Sequence, residues 1–136
     1  MNKPYKKLKK IFREVSISSD IEGILHWDMA TMMPTNAREH RADQLAFISK
    51  LKHNLLSSKK IEDLINETDE NNLDIQDKIN FYEMKREHLL ISSLPVDLVE
   101  AFSKASAKCE GVWQEAREKS EFNLVKKDLE EIINLT

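Results

Sequence analysis

Glycine and proline are scarce in this chain, with two and three residues among 136, well under the roughly 12% the two types make up in an average protein. All-β sandwiches, barrels and propellers need many tight turns and are excluded on that ground. Gly23 and Gly111 stand alone, so neither a GxxxxGK(S/T) phosphate loop nor a GxGxxG dinucleotide fingerprint can be built. Cys109 is the single cysteine, which excludes an intrachain disulfide and fits a reducing compartment. No apolar run approaches the ~18 residues of a membrane span. The basic opening, MNKPYKKLKKIFREV, lacks the uninterrupted apolar segment of a secretory signal. Net charge is small as well, 21 cations against 24 anions, so no global field draws the chain to nucleic acid.

What is present favours helix. Apolar residues make up 40% and charged residues 33%, enough apolar surface to fold rather than stay disordered. A chain of this length sets a prior of one domain with a proper core. The expected class is a soluble, cytoplasmic, all-α protein of five to six helices, the first of them long. Pro4, Pro34 and Pro95 mark helix boundaries, because proline suits a first turn and disfavours helix in the residue before it.

The first helix is expected over about 4–32. Tyr5, Leu8, Ile11, Phe12 and Val15 form one stripe; Ile17, Ile21, Ile24 and Leu25 form another, turned well around the axis. No glycine or proline marks a break between them, so the two halves are expected to bury different faces. A second helix over about 36–56, capped by Thr35 or Asn36, carries Ala42, Leu45, Ala46, Phe47, Ile48, Leu51 and Leu55 over an arc wide enough for burial on more than one side. Ser57 or Ser58 caps a short third helix with Ile61, Leu64 and Ile65. Residues 69–72 read as a loop. Asp74 caps a fourth helix with Ile75, Ile79, Tyr82, Leu89 and Leu90 expected on its buried face. Pro95 opens a fifth, whose stripe includes Leu98, Phe102, Ala105, Cys109, Trp113 and Ala116. A sixth, about 122–135, shows Phe122, Val125, Leu129, Ile132 and Ile133 and ends inside its apolar pattern.

Few residue patterns carry chemistry. No two of the histidines His26, His40, His53 and His88 have the i, i+4 spacing of an HExxH zinc helix, and no pair of ExxH motifs offers a di-iron bundle. Glu22 and His26 stand at i, i+4 and read as a polar pair. Cys109, within an apolar stripe, reads as a buried inert thiol rather than a thiolate, which wants a positive and partly exposed setting. No serine sits in a GxSxG elbow. Lys3, Lys6, Lys7, Lys9, Lys10 and Arg13 read as a solvated face opposite Leu8, Ile11, Phe12 and Val15, with a nucleic-acid or membrane-surface helix as the weaker alternative. The informative block is ILHWDMATMMP, residues 24–34. Taken alone it reads as packing by Trp27 and the methionines, with Asp28 bonding a neighbouring indole or a helix terminus.

The block resembles the N-terminal signature of the carboxypeptidase Taq family of metallocarboxypeptidases, in which a long first helix ends in Trp-Asp followed by Thr-Met-Met-Pro. Trp27, Asp28, Thr31, Met32, Met33 and Pro34 match. The next helix, from Arg41 through Gln44 to Ala46, resembles the family's, and further matches fall on Leu94, Pro95, Leu98, Trp113, Ala116, Arg117 and Phe122. Departures are Met29 and Ala30 in place of a polar pair, Lys59 and Lys127 where proline is common, and Val125 at an aromatic position. The resemblance spans the whole chain and implies an almost wholly helical fold. The family's HExxH zinc site, its downstream glutamate ligand and its substrate motifs lie beyond the matched region. The resemblance therefore implies that residues 1–136 are the N-terminal helical portion of a longer enzyme, as gene decay or a split gene would leave it. No catalytic or metal-binding role then falls on any residue of this chain. The matched Trp27, Asp28, Thr31, Met32, Met33, Pro34, Trp113 and Arg117 would be structural. Zinc or another divalent metal, and a peptide substrate, would belong to the full-length protein, for which the resemblance implies a homodimer, as is common in the family. The alternative is a helical interaction module that pairs with a separately encoded catalytic half or an intact paralogue; neither reading calls for a nucleic-acid or membrane partner.

Overall fold

The computed structural model describes residues 2–136, and among them there are helices and connections but no strand. Six α-helices follow in order: α1 (Lys3–Thr31), α2 (Arg38–Leu56), α3 (Lys59–Glu67), α4 (Ile75–Ser92), α5 (Val96–Lys119) and α6 (Asn123–Leu135). Single 3-10 turns at Thr35–Ala37 and Glu70–Asn72 precede α2 and α4. The helix count and the long α1 match the expectation. Local chemistry sets several boundaries. The Asp74 carboxylate accepts from the Asp77 N–H at 2.8 Å, so Asp74 is the cap of α4 as expected. Asp69 does the same for the turn at 70–72, accepting from Asn71 N–H at 3.1 Å. Pro34 stands before a 3-10 turn rather than before α2 itself, so the cap expected at Thr35 or Asn36 is not formed and α2 starts at Arg38. Ser58 occupies the cap position of α3, but its hydroxyl donates back to Leu55 O at 2.8 Å.

The chain separates into two compact units, one made of the residues up to Ser19 with Leu51–Pro95, the other of Asp20–Lys50 with Val96–Thr136. The core of the first unit collects Tyr5, Leu8, Ile11 and Val15 from α1 with Leu56, Ile61, Leu64, Leu73 and Phe81. Leu8 and Ile61 are wholly inaccessible to solvent. Tyr5 meets Phe81 edge-on, with ring centroids 6.1 Å apart, the arrangement that the ring quadrupoles favour. The Tyr5 hydroxyl donates to Asp77 Oδ1 at 2.8 Å, which satisfies the polar end of a buried ring.

This phenol links stability to pH. Burial, and then the hydrogen bond and negative charge of Asp77, push Tyr5 from 10.0 up to about 12. Above pH 10 the unfolded chain has lost the proton while the folded chain still holds it, so stability is complete below pH 10 and falls as pH rises towards 12. The loss assignable to Tyr5 is expected to be about 2–3 kcal/mol across that window. Urea unfolding of the wild type and of Tyr5→Phe at both ends of it checks this: the variant should show a shallower decline.

The second unit has two clusters. Met29, Ala42, Leu45 and Ala107 pack with Leu25 and Met33; Cys109, Ala116 and Val125 pack with Val112, Leu129 and Ile132. The connection from α5 to α6 is short enough to fold α6 back along α5. It is closed by Ser120 at φ 54° and by a Glu121 N–H bond to Ala116 O at 2.9 Å, a left-handed helix end made without glycine. Gly111 has a different reason to be small. A Cβ there would lie 3.0 Å from Arg38 Cδ, so the stem of Arg38 crosses α5 where the side chain is missing. Gly23, by contrast, has open space around its missing Cβ in the middle of α1. Gly23→Ala is therefore expected to stabilise the chain by about 0.5–1 kcal/mol through helix propensity, read as a higher urea midpoint at unchanged slope.

Several expected faces are corrected. The α1 helix is unbroken, but Ile17, Ile21 and Ile24 are exposed; the buried positions of its second half are Ser18 and Met29, which continue the direction of Ile11. On α2, Ala42, Leu45 and Ala46 are buried while Phe47 and Leu51 face solvent. On α4 the assignment is reversed. Ile75, Ile79, Tyr82, Leu89 and Leu90 are all exposed, and Phe81 is buried with Met84 and Ile91 packed beside it. On α5, Phe102 and Trp113 are exposed, and Ala107 and Gly111 are buried outside the expected stripe. Phe122 precedes α6 and is exposed, as is Ile133. In each case the helix carries apolar residues on more than one side, and periodicity alone does not say which side this chain covers.

Candidate functional site

The block 24–34 forms the end of α1 and its exit. Proline cannot extend a helix and pushes the residue before it out of the α region, so the helix closes just ahead of Pro34. Met32 and Met33 both donate their N–H to Asp28 O at 2.9 Å, and the Thr31 hydroxyl donates to Trp27 O at 2.7 Å. These bonds satisfy carbonyls that a helix end otherwise leaves open. Pro34 O then accepts from Ala37 N–H at 2.9 Å and starts the turn into α2.

Asp28 is the anchor of this corner, and its partner is neither an indole nor a helix terminus. Its Oδ2 accepts from Arg41 Nη2 of α2 at 2.6 Å. The same guanidinium donates through Nη1 to Leu25 O at 2.6 Å and through Nε to Gln44 Oε1 at 2.8 Å. The Arg41 side chain is 12% exposed and that of Asp28 34%. One planar group thus ties the last turns of α1 to the start of α2 by two bonds, to Asp28 and Leu25 O, while its bond to Gln44 within α2 fixes its orientation. Its signal in the sequence was the Arg41-x-x-Gln44 spacing, which carried no assigned role there.

The other motif residues have simpler surroundings. Met29 is buried and Met33 packs beside the same cluster, as methionine in an irregular gap should. Trp27 and Met32 are 61% and 72% exposed, against the packing role expected for them. Trp113 is also exposed, with the Arg117 guanidinium 5.4 Å from its ring, a surface cation–π pair.

Among the described residues the other candidate side chains stand apart from one another. Cys109 is buried, and burial followed by the nearby charge of Asp128 pushes its thiol up, the inert state expected of it. His53 and His88 lie within 2.6 Å of the carbonyls of Leu94 and Leu56, so each spends a ring N–H on backbone. His26 lies 3.9 Å from Glu110, and Glu22 accepts from Ser49. Among the described residues no three His, Cys, Asp or Glu side chains come together as metal ligands. The residues present therefore do not fit the zinc or other divalent ion of the resembled family. A groove of about 630 Å³ lined by Arg38, Asp43, Lys104 and Lys108 has its cations paired: Lys104 with Asp43 at 2.9 Å, Lys108 with Asp128 at 2.7 Å and Arg38 with Glu115 at 3.7 Å. Asp43 and Asp128 in turn hold the Lys104 and Lys108 ammonium groups above the usual lysine range. No described helix is long and apolar enough to cross a membrane.

The arrangement comprises a corner bridged by Arg41, three apolar clusters and large apolar side chains left in solvent. Known proteins with the same fold are peptidases. Thermostable carboxypeptidase 1 of Thermus thermophilus is 25% identical over 87% of this chain and 24% of its own length. Carboxypeptidase 1 of Bacillus subtilis is 28% identical over 94% of this chain and 26% of its own. The crystal structure of BsuCP superposes with a TM-score of 0.93 at 26% identity, over 97% of this chain and 27% of that one. Trypanosoma cruzi metallocarboxypeptidase 1 gives 0.72 at 30% identity, over 98% and 27%. The chain thus spans about a quarter of the length of the relatives it matches. With the family model matched over residues 7–136, the chain belongs to the carboxypeptidase Taq (M32) metallopeptidase family.

Proposed function

We propose that this chain is the N-terminal helical portion of a zinc-dependent metallocarboxypeptidase that releases C-terminal amino acids from peptides, and that it has no such activity by itself. One observation carries the reading: a solved relative's fold matches nearly all of this chain but about a quarter of that one. The inactivity rests on a general requirement. Metal-dependent hydrolysis needs its ligands and its general base in one site, and the described residues gather no such ligand set. The role of Asp28 and Arg41 is then to hold the α1–α2 corner in shape. The reading places the protein in the cytoplasm, where a single unoxidised thiol is at home.

Purified chain, given zinc and an unblocked peptide, is expected to release no C-terminal residue and to retain no stoichiometric metal after dialysis. Tight one-to-one zinc together with turnover would overturn the reading.

A second reading, a helical module that pairs with a separately encoded catalytic half or an intact paralogue, is favoured by the large apolar side chains left in solvent on α1, α2 and α4. Exposed apolar surface of this kind marks interaction sites. Its mark is stoichiometric co-purification with a second polypeptide; a monodisperse monomer that binds no apolar dye counts against it.

A further inference from the structure

The outer face of α4 carries a second seam. Ile75, Ile79, Tyr82, Arg86 and Leu89 follow at spacings of four, three, four and three residues, the heptad repeat with which one helix packs along another. Ile75 and Leu89 are 80% and 72% exposed, and Ile79 and Tyr82 more than half exposed. The opposite side of the same helix is occupied, with Phe81 buried and Met84 and Ile91 packed with it. This helix is therefore apolar on two sides and covered on one. We propose that the seam docks an amphipathic helix belonging to the catalytic portion that M32 carboxypeptidases carry beyond the matched quarter, with an acidic residue facing Arg86.

The charges on the seam disfavour the simplest other occupant, a second copy of α4. Lys78 flanks it on one side and Glu83 on the other, while Lys85 turns away to Glu70 at 3.0 Å and to the Phe81 ring. Antiparallel self-pairing sets the Glu83 flank against its own kind. Parallel self-pairing sets Arg86 against Arg86 inside the seam. Like charges at these positions reject a partner. A helix with acidic residues meets no such penalty. Arg86 is free to turn towards it, since its 3.1 Å bond to Glu83 is an exposed i, i+3 pair of the kind worth little in water. The relatives supply the source. Nearly three quarters of the BsuCP chain lies outside the match, although the matched part superposes at 0.93, so a relative with this fold carries much further protein that could cover an open face.

The proposal rests on the reading of the chain as a carboxypeptidase portion, and its test separates the two. This chain is joined in place of the matched quarter of Bacillus subtilis carboxypeptidase 1, with and without Ile79→Glu and Leu89→Glu together. The same pair is made in the chain alone. The chimaera is expected to fold and to cleave peptides, and the double substitution to shorten its half-life to heat inactivation by about tenfold or more, as charges forced into an apolar contact should. The chain alone should keep its melting temperature. Ile79→Gln, which adds no charge, should move the chimaera in the same direction by less. An active chimaera indifferent to both substitutions overturns the docking face and leaves the carboxypeptidase reading standing; a chimaera that neither folds nor cleaves overturns both. Loss of stability in the chain alone would make the seam part of its own core. A concentration-dependent dimer of the chain, abolished by the double substitution in sedimentation, would assign the face to a second copy. Either result overturns the proposal.

Discussion

Arg41→Ala is expected to cost about 2–3 kcal/mol of unfolding free energy, the upper range for hydrogen bonds made by a charged group. The whole stability of a domain is about 5–15 kcal/mol, so the variant should lose a large fraction of it. Three bonds go at once: those to Asp28, Leu25 O and Gln44. The loss is asymmetric, because the charge left behind on Asp28 has lost its partner while only a third of its side chain reaches solvent. Two comparisons isolate the geometry from the charge. Arg41→Lys keeps a cation but not the planar fork, and should recover part of the stability. Asp28→Asn keeps an acceptor and removes the stranded charge, so Asp28→Asn combined with Arg41→Ala should be less damaging than the sum of the two. Urea unfolding followed by circular dichroism measures all four. A cost under about 1 kcal/mol for Arg41→Ala would place the pair among ordinary surface bridges.

The same corner marks how far the sequence could be read. Helix boundaries were legible where a side chain or a missing N–H acts within its own few residues. Asp74 capping α4, Pro95 ahead of α5 and Pro34 after α1 are of that kind. The partner of Asp28 was not legible, because it stands 13 residues away on the next helix and depends on the angle at which α2 returns. Burial was legible for the first half of α1, where Tyr5, Leu8, Ile11 and Val15 are the sole apolar face of a lysine-rich helix. It was not legible for α4. There the stripe of Ile75, Ile79, Tyr82 and Leu89 is more apolar than the one the chain buries, and hydrophobicity chose the wrong side. On the docking proposed above, that stripe is the signature of contacts the chain does not itself contain, since a helix covered on several sides is apolar on several sides. The resemblance of the 24–34 block implied structural roles for its residues; the exposure of Trp27 and Met32 was not legible in it.

Phe81→Ala is the second large effect, about 3–5 kcal/mol for emptying a buried aromatic site. Phe81 is 2% exposed and does three things at once. Its edge-on contact with Tyr5 joins α4 to α1. Its ring lies 4.6 Å from Lys85 Nζ, a cation–π contact worth up to about 1 kcal/mol at an exposed site. Its volume belongs to the cluster that also holds Leu73 and the α1 stripe. Phe81→Leu keeps most of the volume and should cost about 1–2 kcal/mol, the lost ring contacts. The face assignment predicts a contrast on the same helix. Ile79, two residues earlier and 55% exposed, should lose under about 1 kcal/mol on truncation to alanine in the chain alone. If hydrophobicity rather than contact decided burial, the order would be reversed, with Ile79→Ala the damaging change and Phe81→Ala the mild one. Urea midpoints of the two variants, measured side by side, decide which side of α4 the chain folds around.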